Sequence, residues 1–491
     1  MTTPGAAVQW NSIHGDMRNS DGFAYPTSDR YSCAWRALEG TAVLFGPYID
    51  AEGNLYACTG RGEGFAHLHS FTPDGSLRWE SPPRRGIDTL GARVSPFAPL
   101  LDGCGGVYVA DELAFWCFET DGRVRWRTDL AELGVRGGFP SAVLSPSGHV
   151  GGISLDGVAL FLHPHSGEPA FAPLALPIGP APAALDVPHG LWEGMMEPAT
   201  RNTIFPAFFG RGFPVTNSPA VSPATGMTYI TVAAESLGRT RLVAVREARG
   251  ALEALVLAEF EGYCSVTPSI STDGLTVYTG NHKGELLAFD AARGDLRWRY
   301  SPAATAASPT VGLDGTVYSG CTVAPGIPSQ LSAIDPETGR ARWCRNYDEL
   351  AKELLEQRPL LENLFPDPSP HASINSVPTV SETHLLVVMT LGYTFTPPGQ
   401  GPMTQPHRAV LASIDPSKGE LLGYAQLPDS SEAAVVLAAD GSVYTPHAAL
   451  TSSLFHALNA FLPPSHQTNL VPRGGLTKLE PKNPAARDED G

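Results

Sequence analysis

One short pattern recurs along most of this chain and limits its fold more than any other feature. A strand-like stretch is followed by an acidic-Gly turn, a second strand, a polar turn, and then Gly with an aromatic residue four positions later. The clearest copies end at Gly294 and Trp298 and at Gly339 and Trp343. A repeat of about 45 residues built only from short strands is typical of a propeller blade. We therefore predict an all-β propeller.

The number of copies predicts eight blades. The last copy begins near Ala433 and lacks an outer strand, whereas an unpaired strand around Trp35 precedes the first copy. If the N-terminal strand completes the last blade, two open sheet edges disappear. We therefore predict an eight-bladed β-propeller of four-stranded blades whose ring is closed by the N-terminal strand. The tryptophans are predicted to cover the wedges between neighbouring blades.

This count divides the chain into three parts. Residues 1–45 are an N-terminal segment that includes the closing strand, and residues 46–462 are the propeller. Residues 463–491 are polar and are predicted to be a disordered C-terminal tail.

Charge, cysteines and the N-terminus restrict partners and location. The net charge of −17 disfavours nucleic acid and anionic membrane as partners, because both require a basic surface. Seven scattered cysteines, an odd number, predict reduced thiols. The first residues have neither a charged nor an apolar signal region, so we expect a cytoplasmic protein.

The repeat resembles that of the PQQ-like (quinoprotein alcohol dehydrogenase-like) propellers, whose pattern is Ala-x-Asp-x-x-Thr-Gly-x-x-x-Trp. The pattern is complete from Ala333 to Trp343, and the segment from Trp10 to Ser20 resembles the N-terminal segment of such proteins. The resemblance implies the fold. It does not imply one function, because the scaffold serves quinoprotein dehydrogenases, outer-membrane assembly scaffolds and sensor domains.

A dehydrogenase of this family would bind pyrroloquinoline quinone (PQQ) under two adjacent cysteines, with calcium held by Glu, Asn and Asp. No two cysteines here are adjacent, and the chain has no CxxCH haem motif. We therefore expect no cofactor, and PQQ with calcium remains the less favoured alternative. Paired histidines such as His67 and His69 have no third ligand at a suitable spacing, so no metal site is expected.

Three insertions depart from a bare propeller, and loops are where such folds carry function. Residues 174–215 form an aromatic loop, predicted either to be a lid over one mouth of the central channel or to pack on the side of the ring. Residues 345–373 contain a short amphipathic helix, predicted to pack on the mouth between blades 6 and 7. A Pro/Gly-rich strap, 391–403, is predicted to lie on the opposite face.

Polar residues at the starts of the innermost strands are expected to line the channel. With side chains from the aromatic loop they form a candidate ligand-binding set, suited to a carboxylate or carbonyl group. The set is Arg93, Trp192, Arg201, Phe208, Asn217, Tyr263, His371 and Asn375. The alternative interpretation is that the polar members bind channel water and loop carbonyls.

Three functions follow. The first is a pocket for a small apolar or aromatic molecule at the channel mouth, for binding or for catalysis without a cofactor. The second is a protein-interaction scaffold on the propeller faces. The third is a PQQ-dependent oxidoreductase. No nucleophile, P-loop or zinc-protease motif identifies catalytic residues, so these are unknown at this point.

Overall fold

Eight antiparallel sheets contain all the strands that the structure describes, which confirms the predicted eight-bladed propeller. The structure is a computed structural model. It describes residues 8–86, 88–90, 99–183, 212–236, 238–263, 266–303, 307–321, 329–355, 369–374, 376–395, 403–461, 464 and 467–482.

Each sheet is one blade, and in blades 1 to 6 its strands run outward from the channel in chain order. Blades 1 to 3 contain β2 (Tyr48–Ile49), β3 (Leu55–Cys58), β4 (Leu68–Phe71), β5 (Leu77–Glu80); β6 (Leu100–Leu101), β7 (Gly106–Ala110), β8 (Ala114–Glu119), β9 (Val124–Asp129); β10 (Val143–Leu144), β11 (Val150–Ile153), β12 (Val158–Leu162) and β13 (Leu174–Ala175). Blades 4 to 6 contain β14 (Ala220–Ser222), β15 (Met227–Ala233), β16 (Arg239–Ala248), β17 (Ala251–Glu261); β18 (Ser269–Ile270), β19 (Thr276–Asn281), β20 (Glu285–Asp290), β21 (Leu296–Tyr300); β22 (Thr310–Val311), β23 (Val317–Cys321), β24 (Gln330–Ile334) and β25 (Ala341–Arg345).

Blades 7 and 8 are less regular. Blade 7 contains β26 (Ser369–Ile374), β27 (Thr379–Val380), β28 (Leu385–Phe395), β29 (Met403–Ile414) and β30 (Leu421–Leu427). Blade 8 contains β31 (Val436–Leu437), β32 (Val443–His447), β33 (Gly475–Pro481) and, as its outer strand, β1 (Tyr31–Ala37).

The polar turn of the repeat explains its Asp and Gly. The side chain of Asp335 accepts hydrogen bonds from the amide of Thr338 at 3.0 Å and from its hydroxyl at 2.9 Å. Four residues after this Asp, the amide of Gly339 donates to the Asp335 carbonyl, and Gly339 has a φ of 67°. Only glycine adopts that backbone conformation at low cost. The motif therefore encodes the turn before each outer strand.

The tryptophans join each blade to the next, which explains their place in the repeat. The indole nitrogen of Trp298 donates to the carbonyl of Pro336 at 2.7 Å, and that of Trp343 donates to Pro416 at 2.9 Å. The turn glycine of the next blade lies against the indole face, so that a Cβ on Gly339 would lie 2.6 Å from Trp298. The same arrangement recurs at Trp35, Trp79 and Trp126.

The last blade combines both ends of the described chain. β1 pairs along its length with β33, and β33 pairs with β32. The predicted ring closure by the N-terminal strand is thus confirmed, but the prediction of a disordered tail over 463–491 is wrong for residues 475–481. The leucines of this strand, Leu476 and Leu479, are buried in the hydrophobic core.

Two helical segments lie in insertions. Asp348–Leu354 is the predicted amphipathic helix, and its buried residues Leu350 and Ala351 pack with side chains of blades 6 and 7. Leu450–Leu458, followed by a 3-10 turn Asn459–Phe461, belongs to the connection between β32 and β33. No helix in the described part of the chain combines the length and the apolar character that crossing a membrane requires.

Blade 7 corrects one prediction about the strap. β26, which follows the helix Asp348–Leu354, pairs with the distal half of β28, from Met389 to Thr394. The β28–β29 hairpin that leads into the strap therefore projects on the same face of the ring as the 345–373 insertion. The opposite-face prediction is wrong, because the second and third strands of a blade are joined on the side where the innermost strand begins.

Candidate functional site

The N-terminal segment before β1 closes one end of the central channel. Residues 9–21 pass along the innermost strands in order and form a hydrogen bond with every blade. From blade 1 to blade 8 these bonds are Trp10 N to Ile49 O (3.1 Å), Leu101 N to Asn11 O (3.0 Å), Leu144 N to Met17 Sδ (3.2 Å), Val221 N to Met17 O (2.7 Å), Ile270 N to Arg18 O (2.9 Å), Val311 N to Ser20 O (2.7 Å), Val380 N to Asp21 O (2.9 Å) and Ala439 N to Gln9 Oε1 (2.8 Å). We call residues 9–25 the plug.

Asn19 of the plug donates two hydrogen bonds that side-chain hydroxyls donate in other blades. In blades 5, 6 and 7 the first inner-strand residue, Ser269, Thr310 or Thr379, donates its hydroxyl to the carbonyl that precedes the next inner strand. Blades 3 and 4 have Val143 and Ala220 at this position. The Asn19 amide instead donates to the carbonyls of Pro219 at 3.1 Å and Pro268 at 2.9 Å.

Three side chains of the plug and of blade 6 form a buried hydrogen-bonded row. Nδ1 of His14 lies 2.8 Å from Oδ2 of Asp21, and Nε2 of His14 lies 3.0 Å from Oγ of Ser308. All three residues are almost fully buried. Burial raises the pKa of Asp21, although the adjacent His14 opposes the rise. With Asp21 ionised, Nδ1 carries the imidazole proton and Nε2 accepts the Ser308 hydroxyl.

Ser308 stands at a repeated position two residues before each inner strand. Blades 3 to 6 carry a hydroxyl there, whereas the described residues at this position in blades 7, 8 and 1 are apolar or glycine. In the same order these residues are Ser141, Ser218, Thr267 and Ser308, then Val377, Ala434 and Gly46. Because innermost strands surround the axis of a propeller, the described residues at this level are polar on the side of blades 3 to 6 and apolar on the side of blades 7, 8 and 1.

Of the candidate ligand-binding residues, Asn217, Tyr263 and His371 are described. Nδ2 of Asn217 donates to the hydroxyl of Thr231 at 2.5 Å, while its Oδ1 is buried without a hydrogen-bond partner. The ring of Tyr263 packs on His282, with 5.3 Å between centroids. Among described residues, no hydrogen bond joins any two of these three side chains.

His371 lies in the insertion before blade 7. Its Nδ1 is 2.9 Å from Oδ1 of Asp348, and its buried Nε2 has no partner. Burial acts to raise the pKa of Asp348, but hydrogen bonds from His371 and from the Ala372 amide hold it below its usual range. His371 thus ties β26 to the helix Asp348–Leu354.

The remaining candidate residues, Arg93, Trp192, Arg201, Phe208 and Asn375, lie outside the described residues. The central part of the predicted lid, 184–211, lies outside them too.

Sequence reasoning missed a polar cluster at the start of blade 8. Burial raises the pKa of Glu432, whose Oε1 accepts the Thr451 hydroxyl at 2.7 Å and whose Oε2 is buried without a partner. Asp429 accepts the amides of Arg473 at 2.8 Å and Gly474 at 3.0 Å. The run Asp-Ser-Ser-Glu from 429 to 432 occupies the same place as the predicted channel residues of other blades, and that register was the available signal.

The described residues do not form the PQQ and calcium site that the resemblance implies. No two cysteines are adjacent in the sequence, and no cluster of three His, Cys, Asp or Glu side chains within the described ranges has the geometry to hold a metal ion. His67 and His69 bond instead to Thr59, through its carbonyl and its hydroxyl.

Comparisons with known proteins agree with the fold. A family model described as outer membrane protein assembly factor BamB matches residues 218–365, which contain blades 4 to 6. No curated protein sequence matches the chain.

Three solved structures are similar over nearly the whole chain. A quinohemoprotein alcohol dehydrogenase from Comamonas testosteroni is 12% identical, with 98% of this chain and 82% of that chain covered and a TM-score of 0.57. One from Pseudomonas putida HK5 is 14% identical, with 99% and 82% covered and a TM-score of 0.55. A europium-containing methanol dehydrogenase is 12% identical, with 97% and 98% covered and a TM-score of 0.55. At these identities the likeness establishes a common fold.

Proposed function

Because this chain has the fold of the PQQ-like propellers, we propose that its central channel binds a small molecule with one polar and one apolar side. The observation that carries the proposal is the plug, which bonds to all eight blades at one end of the channel. The ligand would then enter from the other end. A cavity closed at one end and lined by a few placed polar groups is the usual form of a ligand site.

The difference between the two sides of the channel supports a ligand with one polar and one apolar side. Blades 3 to 6 carry hydroxyl residues at the position where blades 7, 8 and 1 carry Val377, Ala434 and Gly46. The oxygens Ser141 Oγ and Asn217 Oδ1 are buried without partners on the polar side. A buried polar atom without a partner costs about 1–3 kcal/mol, so a ligand that bonds to it recovers that free energy.

The remaining residues of the proposed site come from the sequence prediction alone. We propose that Arg93, Arg201 and Asn375 bind a ligand carboxylate or carbonyl, and that Trp192 and Phe208 contact its apolar part. The protein would bind this ligand in the cytoplasm.

Binding is tested by thermal unfolding in the presence of aromatic and terpenoid acids and alcohols. We expect at least one compound to raise the midpoint, and Asn217→Ala to weaken its binding by roughly tenfold, about 1.4 kcal/mol. A matched control is Asn54→Ala, an asparagine in the first turn of blade 1 that bonds to Asp50. If no compound shifts the midpoint, or if both variants weaken binding equally, the channel is not the site.

A protein-interaction scaffold is the second candidate. It is favoured by the outer strand of blade 7, where Leu421, Leu422 and Tyr424 are exposed, and by the assembly-factor description of the matching family model. Substituting Leu422 and Tyr424 with Ser would then abolish co-purification of a partner while leaving small-molecule binding intact.

A further inference from the structure

We propose that Ser308, His14 and Asp21 form a nucleophilic site for acyl transfer at the closed end of the channel. The inference rests on the proposed channel site and names the class of its substrate as a small carboxylic ester.

The geometry meets the requirements of such a site. A serine nucleophile needs a base within hydrogen-bonding distance, and the base needs a carboxylate on its other nitrogen. Here the Ser308 oxygen is 3.0 Å from Nε2 of His14, and Nδ1 of the same ring is 2.8 Å from Asp21. Such a set is recognised by geometry and not by chain order.

The plug holds His14 and Asp21 in fixed positions. The amide of Asp21 donates to the carbonyl of His14 at 3.2 Å, and the carbonyl of Asp21 accepts the amide of Val380 at 2.9 Å. Asp21 also has a φ of 50°, a conformation rarely adopted outside glycine. Strained, firmly held backbone is frequent at functional sites.

The repeat does not require this histidine. The equivalent hydroxyl of blade 3, that of Ser141, is buried without a partner, and that of Thr267 in blade 5 accepts the amide of Ser218 at 3.4 Å. Of the four equivalent hydroxyls, Ser308 alone is bonded to an imidazole among the described residues. The row is therefore an addition to the blade and not a general feature of it.

The plug and the adjacent blade 1 also contain hydrogen-bond donors without partners. The phenol oxygen of Tyr48 and the indole nitrogen of Trp10 are buried without partners, and donors of this kind stabilise the oxyanion of an acyl-transfer intermediate. Ala307, next to Ser308, and Thr267 in the neighbouring blade keep 9% and 8% of their surface exposed. Because these residues are so little exposed, we expect only a small acyl group to reach Ser308.

In the reaction, Oγ of Ser308 forms a bond to the ester carbon while its proton moves to Nε2 of His14. The bond from that carbon to the alkoxy oxygen then breaks, and the alcohol leaves with the proton from His14. Water then forms a bond to the acyl carbon while losing a proton to His14. The bond from that carbon to Oγ breaks, the proton on His14 returns to Oγ, and the acid leaves. His14 and Ser308 are the catalytic residues, and Asp21 is a positioning residue.

The test uses the full chain with diisopropyl fluorophosphate, which forms an Oγ–P bond and releases fluoride. We expect mass spectrometry to place the label on Ser308. Ser308→Ala should remove both the label and the hydrolysis of p-nitrophenyl acetate. Asp21→Asn should lower kcat at least about a hundredfold with KM unchanged, which a merely structural role would not produce. Ser222→Ala, which removes a buried hydroxyl bonded to the Gly274 carbonyl, is the control and should keep full activity.

The outcomes separate the two proposals. If compounds bind in the thermal assay but Ser308 is neither labelled nor needed for hydrolysis, the acyl-transfer inference is overturned and the channel site stands. If nothing binds and nothing is labelled, both are wrong. Equal loss of hydrolysis in Ser308→Ala and Ser222→Ala would also reject the inference.

Discussion

The indole nitrogen of Trp35 donates a hydrogen bond to the carbonyl oxygen of Pro73 at 3.1 Å, and this contact joins blade 8 to blade 1. Trp35 lies in the outer strand of blade 8, and a Cβ on Gly75 of blade 1 would lie 2.8 Å from its ring. The junction between the first and last blades is thus built like those between blades that are adjacent in sequence.

Replacing Trp35 tests how much this junction contributes. Trp35→Ala removes both the ring and the hydrogen bond, and we expect the free energy of unfolding to fall by about 3 kcal/mol. Trp35→Phe keeps an aromatic ring and loses the hydrogen bond, so it should cost about 1 kcal/mol. Denaturant titration followed by tryptophan fluorescence and circular dichroism measures both. Equal losses in the two variants would mean that the ring does not stabilise the junction.

Two glycines with the same φ allow the cost of backbone strain to be distinguished from the cost of a steric clash when each is replaced by alanine. Gly226 and Gly339 both have a φ of 67°, but a Cβ on Gly226 meets nothing within 4 Å, whereas one on Gly339 would lie 2.6 Å from Trp298. Gly226→Ala should therefore cost about 1–2 kcal/mol from strain alone, and Gly339→Ala about 3 kcal/mol or more. Unfolding free energies that match within error would refute the packing explanation.

Asn19 holds the plug through two buried carbonyls. Asn19→Gly tolerates the φ of 55° at this position but leaves the carbonyls of Pro219 and Pro268 without the amide, so we expect a loss of about 2–4 kcal/mol. Asn19→Asp should be worse, because its carboxylate accepts hydrogen bonds and repels both carbonyl oxygens. Amide exchange at Val221 and Ile270 should accelerate in the same order. If the Asp variant were the more stable, the hydrogen bonds would not explain the role of Asn19.

His69 should make stability depend on pH. Burial lowers the pKa of His69 to about 4, and the half-exposed Glu80 carboxylate 3.5 Å away is too well solvated to outweigh burial. Protonation therefore favours the unfolded chain. Above pH 6.5 His69 is neutral in both states and does not lower the free energy of unfolding. As the pH falls from 6.5 towards 4, the free energy of unfolding decreases by about 3 kcal/mol in all. His69→Gln should flatten the dependence in that window. An unchanged slope would contradict the assignment.

The blades could be predicted from sequence because the residues that form the turns lie within each repeat. Asp335, Gly339 and Trp343 specify a turn, a φ and an inter-blade contact within one short segment. β33 was missed because its partners, β1 and β32, are separated from it by most of the chain and by a helical insertion. Its leucines are too few to be distinguished from a polar tail.

The plug was missed for a different reason. Most of its hydrogen bonds run through backbone carbonyls, such as those of Met17, Arg18 and Ser20, which every sequence possesses. The row joins Ser308 to a histidine 294 positions earlier in the chain, and no local motif places them together. Register alone predicted Asn217 as a channel residue, and the same register would have pointed to the cluster at Glu432.

Blade 8 has a consequence for synthesis of the protein on the ribosome. Residues 31–37 emerge early, yet the strand they pair with, 475–481, is translated only after every other blade has been made. Until then the early strand and the plug before it lack their final partners, and the newly made chain exposes an unpaired edge. We therefore expect the newly made chain to be prone to aggregation, and premature termination before residue 475 to leave a ring that cannot close.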